Sequence, residues 1–108
     1  MINSTEELKD FIVKILDDKK AENIVVMDLE AKTSLAKYMI FATGRSTKNT
    51  SAIADYLSQE IKENTNFNII MEGMNIGAWV ALDIGDIIVH LFHEEARQHY
   101  KLEEFWNR

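Results

Sequence analysis

Residues 77–92 read GAWVALDIGDIIVHLF, two apolar runs on either side of Asp83-Ile84-Gly85-Asp86, with His90 near the far end. Paired carboxylates beside a histidine can mark a metal or acid–base site, and the same residues can form a hairpin whose turn is acidic. Backbone sterics separate the two. A two-residue I′ turn at Ile84-Gly85 would force a β-branched residue to positive φ, where its Cβ clashes. A three-residue loop avoids this, with Asp83 and Ile84 right-handed and Gly85 left-handed in a G1 bulge. The pairing that follows sets Leu82 opposite Asp86, Val80 opposite Ile88 and Ala78 opposite His90. Trp79, Ala81, Ile87, Val89 and Leu91 share the other face. Asp83 then belongs to the turn and Asp86 to the strand, with His90 about 13 Å further along at ~3.3 Å per residue. The aspartates read as turn formers, not as a catalytic pair.

Outward from the hairpin, the chain divides into elements without a linker, repeat or low-complexity stretch. Ser4-Thr5-Glu6-Glu7 has the form of a capping box, with Ser4 accepting from the Glu7 N–H and the Glu7 side chain reaching back. Leu8, Phe11, Ile12, Ile15 and Leu16 then mark one face of a helix. Residues 24–29 form a short apolar run of strand length, and residues 37–43 (KYMIFAT) a second strand closed by Gly44. A helix begins near Thr47, with Ile53, Leu57 and Ile61 four apart. Residues 67–72 (FNIIME) form a third strand, residues 73–77 a loop, and EEARQHYKLEEFW a terminal helix. The order is α-β-β-α-β-β-β-α. KYMIFAT, its helix and FNIIME make a βαβ unit, expected to be parallel with a right-handed crossover. Strands apolar on both faces imply a sheet covered on both. The fold class is therefore α/β, one domain over residues 1–108, a mixed sheet with flanking helices.

Composition removes several function classes. The chain has 108 residues, 46% apolar and 28% charged, which is ordinary for a globular protein with its own core. It has no cysteine, so a disulfide framework, a thiolate zinc site and a cysteine nucleophile are excluded. MINSTEELKD has neither a basic nor an apolar signal region, and the apolar run of residues 78–92 is broken by charges. The expected address is the cytoplasm, without a membrane anchor. Twelve basic against eighteen acidic residues leave a net charge of −6, which argues against DNA or a bare phosphate backbone as the main partner.

No catalytic, metal or cofactor site emerges. ATGRSTKNTS has the strand–glycine–hydroxyl–helix layout of an anion site, but with one glycine and no P-loop spacing. Nucleotidyltransferases follow such a step with two carboxylates on the next strand, where FNIIME offers Glu72 alone. The plainer reading is a turn with Ser46 or Thr47 as helix cap. His90 and His93 match no zinc motif and read as surface or sheet-edge residues. Phe11, Phe41, Phe67 and Tyr100 read as core.

Several motifs together extend this reading. Ser34, Tyr38, Met39, Ile40, Thr43 and Gly44 fall in a Ser-x-x-x-(aromatic)-Met-Ile-x-x-Thr-Gly pattern, followed by Ala52-Ile53-Ala54-Asp55. Glu72-Gly73, Trp79, residues 83–90 (DIGDIIVH) and the closing series Glu95, Arg97, Tyr100, Leu102, Glu103 and Trp106 complete it. In this order the chain resembles the ribosomal silencing factor, or Iojap, family. The resemblance implies a nucleotidyltransferase-like fold without the catalytic carboxylates, and a binding factor in place of an enzyme. It implies docking on the large ribosomal subunit through its fourteenth protein, at the intersubunit face, which sterically blocks small-subunit joining and lowers translation. Little direct rRNA contact is implied, and a homodimer of the free protein is left open. Carried over, Trp79 is the central interface residue, with Val80, Leu82, Asp83, Asp86, Ile88 and His90 of the hairpin around it. The negative charge suits a basic protein partner. The family usually has Ala-Asp-Trp where this chain has Gly77-Ala78-Trp79, so one carboxylate beside the tryptophan is missing. Arg45 also stands where a small polar residue is common. The alternative is a nucleotide- or phosphate-binding degenerate transferase using the loop from Gly44 to Lys48.

Overall fold

The computed structural model describes residues 2–29, 34–73 and 78–100, with side chains as far as Gln98. The elements are α1 (Thr5–Asp18), β1 (Glu22–Asp28), β2 (Tyr38–Gly44), α2 (Thr47–Asn64), β3 (Ile69–Glu72), β4 (Trp79–Ile84), β5 (Ile87–His93) and α3 (Glu94–Tyr100). Their types and order agree with the sequence expectation. The loop expected over 73–77 and the terminal pattern beyond Tyr100 fall mostly outside the described residues.

α1 begins where the capping pattern puts it. Ser4 Oγ accepts from the Glu7 N–H at 3.2 Å. The Glu7 carboxylate does not reach the backbone; it accepts from the Ser4 hydroxyl at 3.1 Å. At the other end Ala21 N–H donates to Leu16 O and Lys20 N–H to Asp17 O, a Schellman ending with Lys20 at φ 62° where glycine is usual. Leu8, Ile12, Ile15 and Leu16 are buried, and Phe11 is half-buried beside them. Tyr38 Oη, at the start of β2, donates to Glu6 Oε2 at 2.6 Å, and Lys37 Nζ lies 2.8 Å from Glu6 Oε1. Lys37 first, then Tyr38, hold the Glu6 carboxyl below its ordinary range.

The five strands form one sheet in the order β1-β2-β5-β4-β3. β2 is parallel to β5, and the remaining pairs are antiparallel. The two strands of the expected βαβ unit run parallel, as expected, with β5 and β4 lying between them. Burial gives the reason. All seven residues of β2 and five of the seven in β5 are buried, so these strands take the centre. β3 alternates half-buried and exposed residues, the pattern of an edge strand with one open face.

The hairpin register is corrected. The turn is Gly85-Asp86, with Gly85 at φ +55°, and Ile84 pairs with Ile87. Glycine first in a two-residue loop is the II′ arrangement. Asp83 lies in β4 opposite Ile88, and Asp86 lies in the turn, the reverse of the expectation. The three-residue loop would have turned Asp86 to the same face as Val80 and Leu82 and left Ile84 in the turn. A carboxylate under the helices would cost several kcal/mol. The observed register instead buries Ile84 and Ile87 completely. Asp86 O also accepts from Lys37 N–H at 2.7 Å, which ties the turn to the start of β2.

α1 and α2 cover one face of the sheet, where Val80, Leu82, Ile84, Ile87, Val89 and Leu91 meet Leu57 and Ile61 in the larger core. α3 lies on the other face, with Ala96 against a smaller cluster of Leu29, Ala36, Met39, Phe41 and Phe92. Full cover of both faces was expected. On the outer face Ile70 of β3 is 62% exposed, so the β3–β4 end is open.

Candidate functional site

Alternation along the strands sends Trp79, Ala81 and Asp83 of β4, Ile88, His90 and Phe92 of β5, and Met39, Phe41 and Thr43 of β2 to the outer face. The aromatic residues among them form a continuous array. The Phe41 and His90 rings stack at 5.3 Å, and Trp79 and Phe92 stack at 5.2 Å. His90 and Phe92 are 6.0 Å apart at 22°, so four rings from three strands pack side by side. Such offset contacts each contribute roughly 1 kcal/mol beyond area burial.

Trp79 sits at the margin of the array and is half-buried. Its indole N–H donates to His90 Nδ1 at 3.0 Å. His90 is 7% exposed in the central strand β5, which corrects its expected place at a surface or sheet edge. Burial pushes its pKa down from 6.5 to about 4, so the ring is neutral near pH 7. With Nδ1 accepting, its proton is on Nε2.

The outer face from Trp79 toward the hairpin turn is acidic and partly apolar. Glu72 of β3 lies opposite Ala81, and Ile70 opposite Asp83; Glu72, Asp83 and Ile70 are all exposed. Asp86 in the turn and Glu94 and Glu95 at the start of α3 are exposed too. Strands β3, β4 and β5 contain no lysine or arginine. Arg97 of α3 is used internally: its Nη1 donates to Asn23 O at 2.8 Å and Thr43 Oγ1 at 2.7 Å, which pins α3 to the ends of β1 and β2.

Of the seven expected interface residues, Trp79, Asp83, Ile88 and His90 share the outer face. Val80 and Leu82 are fully buried beneath the helices, so their side chains are core. Asp86 is exposed in the turn. The expectation did not include Phe92, Phe41, Ile70 or Glu72 in this surface. Gly85-Asp86 as a glycine-first turn was the signal that would have brought Trp79, Phe92 and His90 to one face.

The loop after β2 is built as a helix start. Ser46 caps α2, accepting from Asn49 N–H at 3.0 Å, while Asn49 Oδ1 accepts from Arg45 N–H at 3.0 Å. The Thr50 hydroxyl donates to Ser46 O at 2.8 Å. A Cβ on Gly44 would collide with Thr50, so the glycine is there for close strand–helix packing. Glu72, the lone carboxylate of β3, stands exposed on the outer face. Among the described residues no three or more His, Asp or Glu side chains gather as a metal site.

Comparison with known proteins places this geometry in a family. Residues 2–108 match a family model described as "Ribosomal silencing factor during starvation". The chain is 42% identical over 101 residues to the ribosomal silencing factor RsfS of Zymomonas mobilis, covering 94% of this chain and 76% of that one. It is 39% identical over 90 residues to RsfS of Bacillus subtilis, covering 83% and 76%. A crystal structure of a Chromobacterium violaceum protein superposes with a TM-score of 0.92 at 32% identity, covering 97% of this chain and 88% of that one.

Proposed function

The chain belongs to the ribosomal silencing factor family, and on that premise we propose that it docks on the large ribosomal subunit with the outer face of β3, β4 and β5. The bound protein stands in the way of the small subunit and represses translation. Its partner is a basic large-subunit protein, the fourteenth, at the intersubunit face, with little direct contact to rRNA. It acts by occupying a surface, with no reaction catalysed, in the cytoplasm where the ribosomes are.

The observation that carries this reading is the half-buried Trp79 at the edge of an aromatic array, on an open face that carries Glu72 and Asp83, with Asp86 in the turn beyond. Interface hot spots are enriched in tryptophan set in a well-packed surround. Strands without lysine or arginine, on a chain of net charge −6, complement a basic protein and repel phosphate. Ala78, where the family usually has an acid, leaves that complement to Glu72, Asp83 and Asp86.

Sucrose-gradient sedimentation of mixed ribosomal subunits with added protein tests the proposal. The expected outcome is fewer joined ribosomes, with the protein travelling with the large subunit. Unchanged joining at saturating protein would overturn it.

A further inference from the structure

Trp79 pairs with Phe92 and Ala81 with His90 across the β4–β5 ladder, so the indole and imidazole are diagonal neighbours on one face. Contacts with Phe92 and His90 hold the indole. Phe92 stacks on it at 5.2 Å and 26°, and His90 Nδ1 accepts its N–H at 3.0 Å. The acceptor is itself held, because the imidazole stacks on fully buried Phe41 at 5.3 Å and 18° and lies 6.0 Å from Phe92. Packing alone does not require a histidine here. The surrounding cluster is Met39, Phe41, Phe92 and Ile88, and a leucine or phenylalanine would fill the same space without burying a polar ring. What an apolar residue lacks is an acceptor aimed at the indole.

We infer that His90 is a positioning residue that locks the Trp79 indole in the orientation a docking partner meets. The inference rests on the docking reading above and adds to it a residue that acts from below the surface. His90 is too buried to form much of the contact itself, and it acts through the tryptophan. A side chain fixed before binding has less rotamer freedom to lose on association, and the benefit appears in affinity more than in fold stability.

The test uses the full chain labelled with ¹⁵N at tryptophan and purified large ribosomal subunits as the binding probe. His90→Leu is expected to move the Trp79 indole N–H resonance, speed its exchange with solvent and weaken binding about five- to tenfold. Its melting transition should stay cooperative. His90→Asn, whose Oδ1 falls near the place of Nδ1, is expected to restore both the resonance and the affinity. His90→Phe serves as a second apolar variant should His90→Leu fail to fold. In a Trp79→Phe background, which removes the donor, His90→Leu should cost no further affinity. Normal binding by the folded apolar variants, or an equal loss in the Trp79→Phe background, overturns the positioning role. Trp79→Ala tells the two ideas apart. If it binds normally the docking reading itself falls, and this inference with it. If it binds poorly while His90→Leu binds normally, only the positioning role falls.

Discussion

The two sides of the β4–β5 hairpin are made by alternate residues of the same two strands, and they are built differently. The helix side carries Val80, Leu82, Ile84, Ile87, Val89 and Leu91, all aliphatic and at most 1% exposed. The outer side carries Trp79, Ala81, Asp83, Ile88, His90 and Phe92, a mixture of rings, small residues and charge. Aliphatic side chains fill space and have no polar atoms to satisfy, which suits a surface that only has to exclude water. Aromatic rings with polar atoms are stiff and directional, which suits a surface that has to present one shape. On the proposed docking, stability and recognition are separable here, although no residue of either set is more than two positions from the other.

Breaking the helix side should give the largest effect on folding. Leu82→Ala removes a fully buried side chain and is expected to cost about 2–5 kcal/mol of stability by denaturant unfolding. Binding to large subunits, measured well below the melting temperature, should change little. A large affinity loss in a folded Leu82→Ala protein would show that the two sides are not separable.

Acid should act on the outer side first. His90 titrates near 4 when folded, against 6.5 for the free group, so the unfolded chain binds the proton more readily. Its contribution to stability is fully present above 6.5, falls as pH drops toward 4, and levels off below. At about 1.4 kcal/mol per pH unit across that gap, the loss is about 3 kcal/mol. Carboxylates titrate in the same range, so the measurement is the difference between the wild-type and His90→Leu stability curves. Parallel curves from pH 7 to 4 would mean that the imidazole is not buried as described.

The smallest expected effect on folding comes from Trp79, and there the two sides should part. Trp79→Ala is expected to cost about 2 kcal/mol in binding to the purified large-subunit protein, roughly thirtyfold. Its stability cost should be about 1.5 kcal/mol, well short of the 3–5 typical of a core tryptophan, because the ring is half-buried. Pull-down together with thermal denaturation of the same variant measures both. An unfolding cost as large as that of Leu82→Ala would make Trp79 a core residue.

Much of this was legible from the residues in order along the chain. Ser4 and Ser46 cap helices because their hydroxyls reach an N–H three residues on, and both do so. The faces of α1 and α2 follow from apolar spacing, and the strands from short apolar runs. The family pattern was legible as well, being a fixed order of residues. These features depend on contacts within about four positions, where local chemistry outweighs context.

What the tertiary structure alone decided was pairing. Asp83-Ile84-Gly85 and Gly85-Asp86 are both plausible turns when judged by their own dihedrals, and the two differ little in energy. The choice is made by what each register buries: only Gly85-Asp86 puts Ile84 and Ile87 under α1 and α2 and keeps Asp86 in water. Side chains alternate with a period of two, so that choice also put Trp79 and His90 on one face. The place of β5 between β2 and β4 was decided in the same way, by long-range burial of a strand apolar on both sides. The sequence could name Trp79, Asp83, Ile88 and His90, but only the competition among buried surfaces brought the indole to the imidazole.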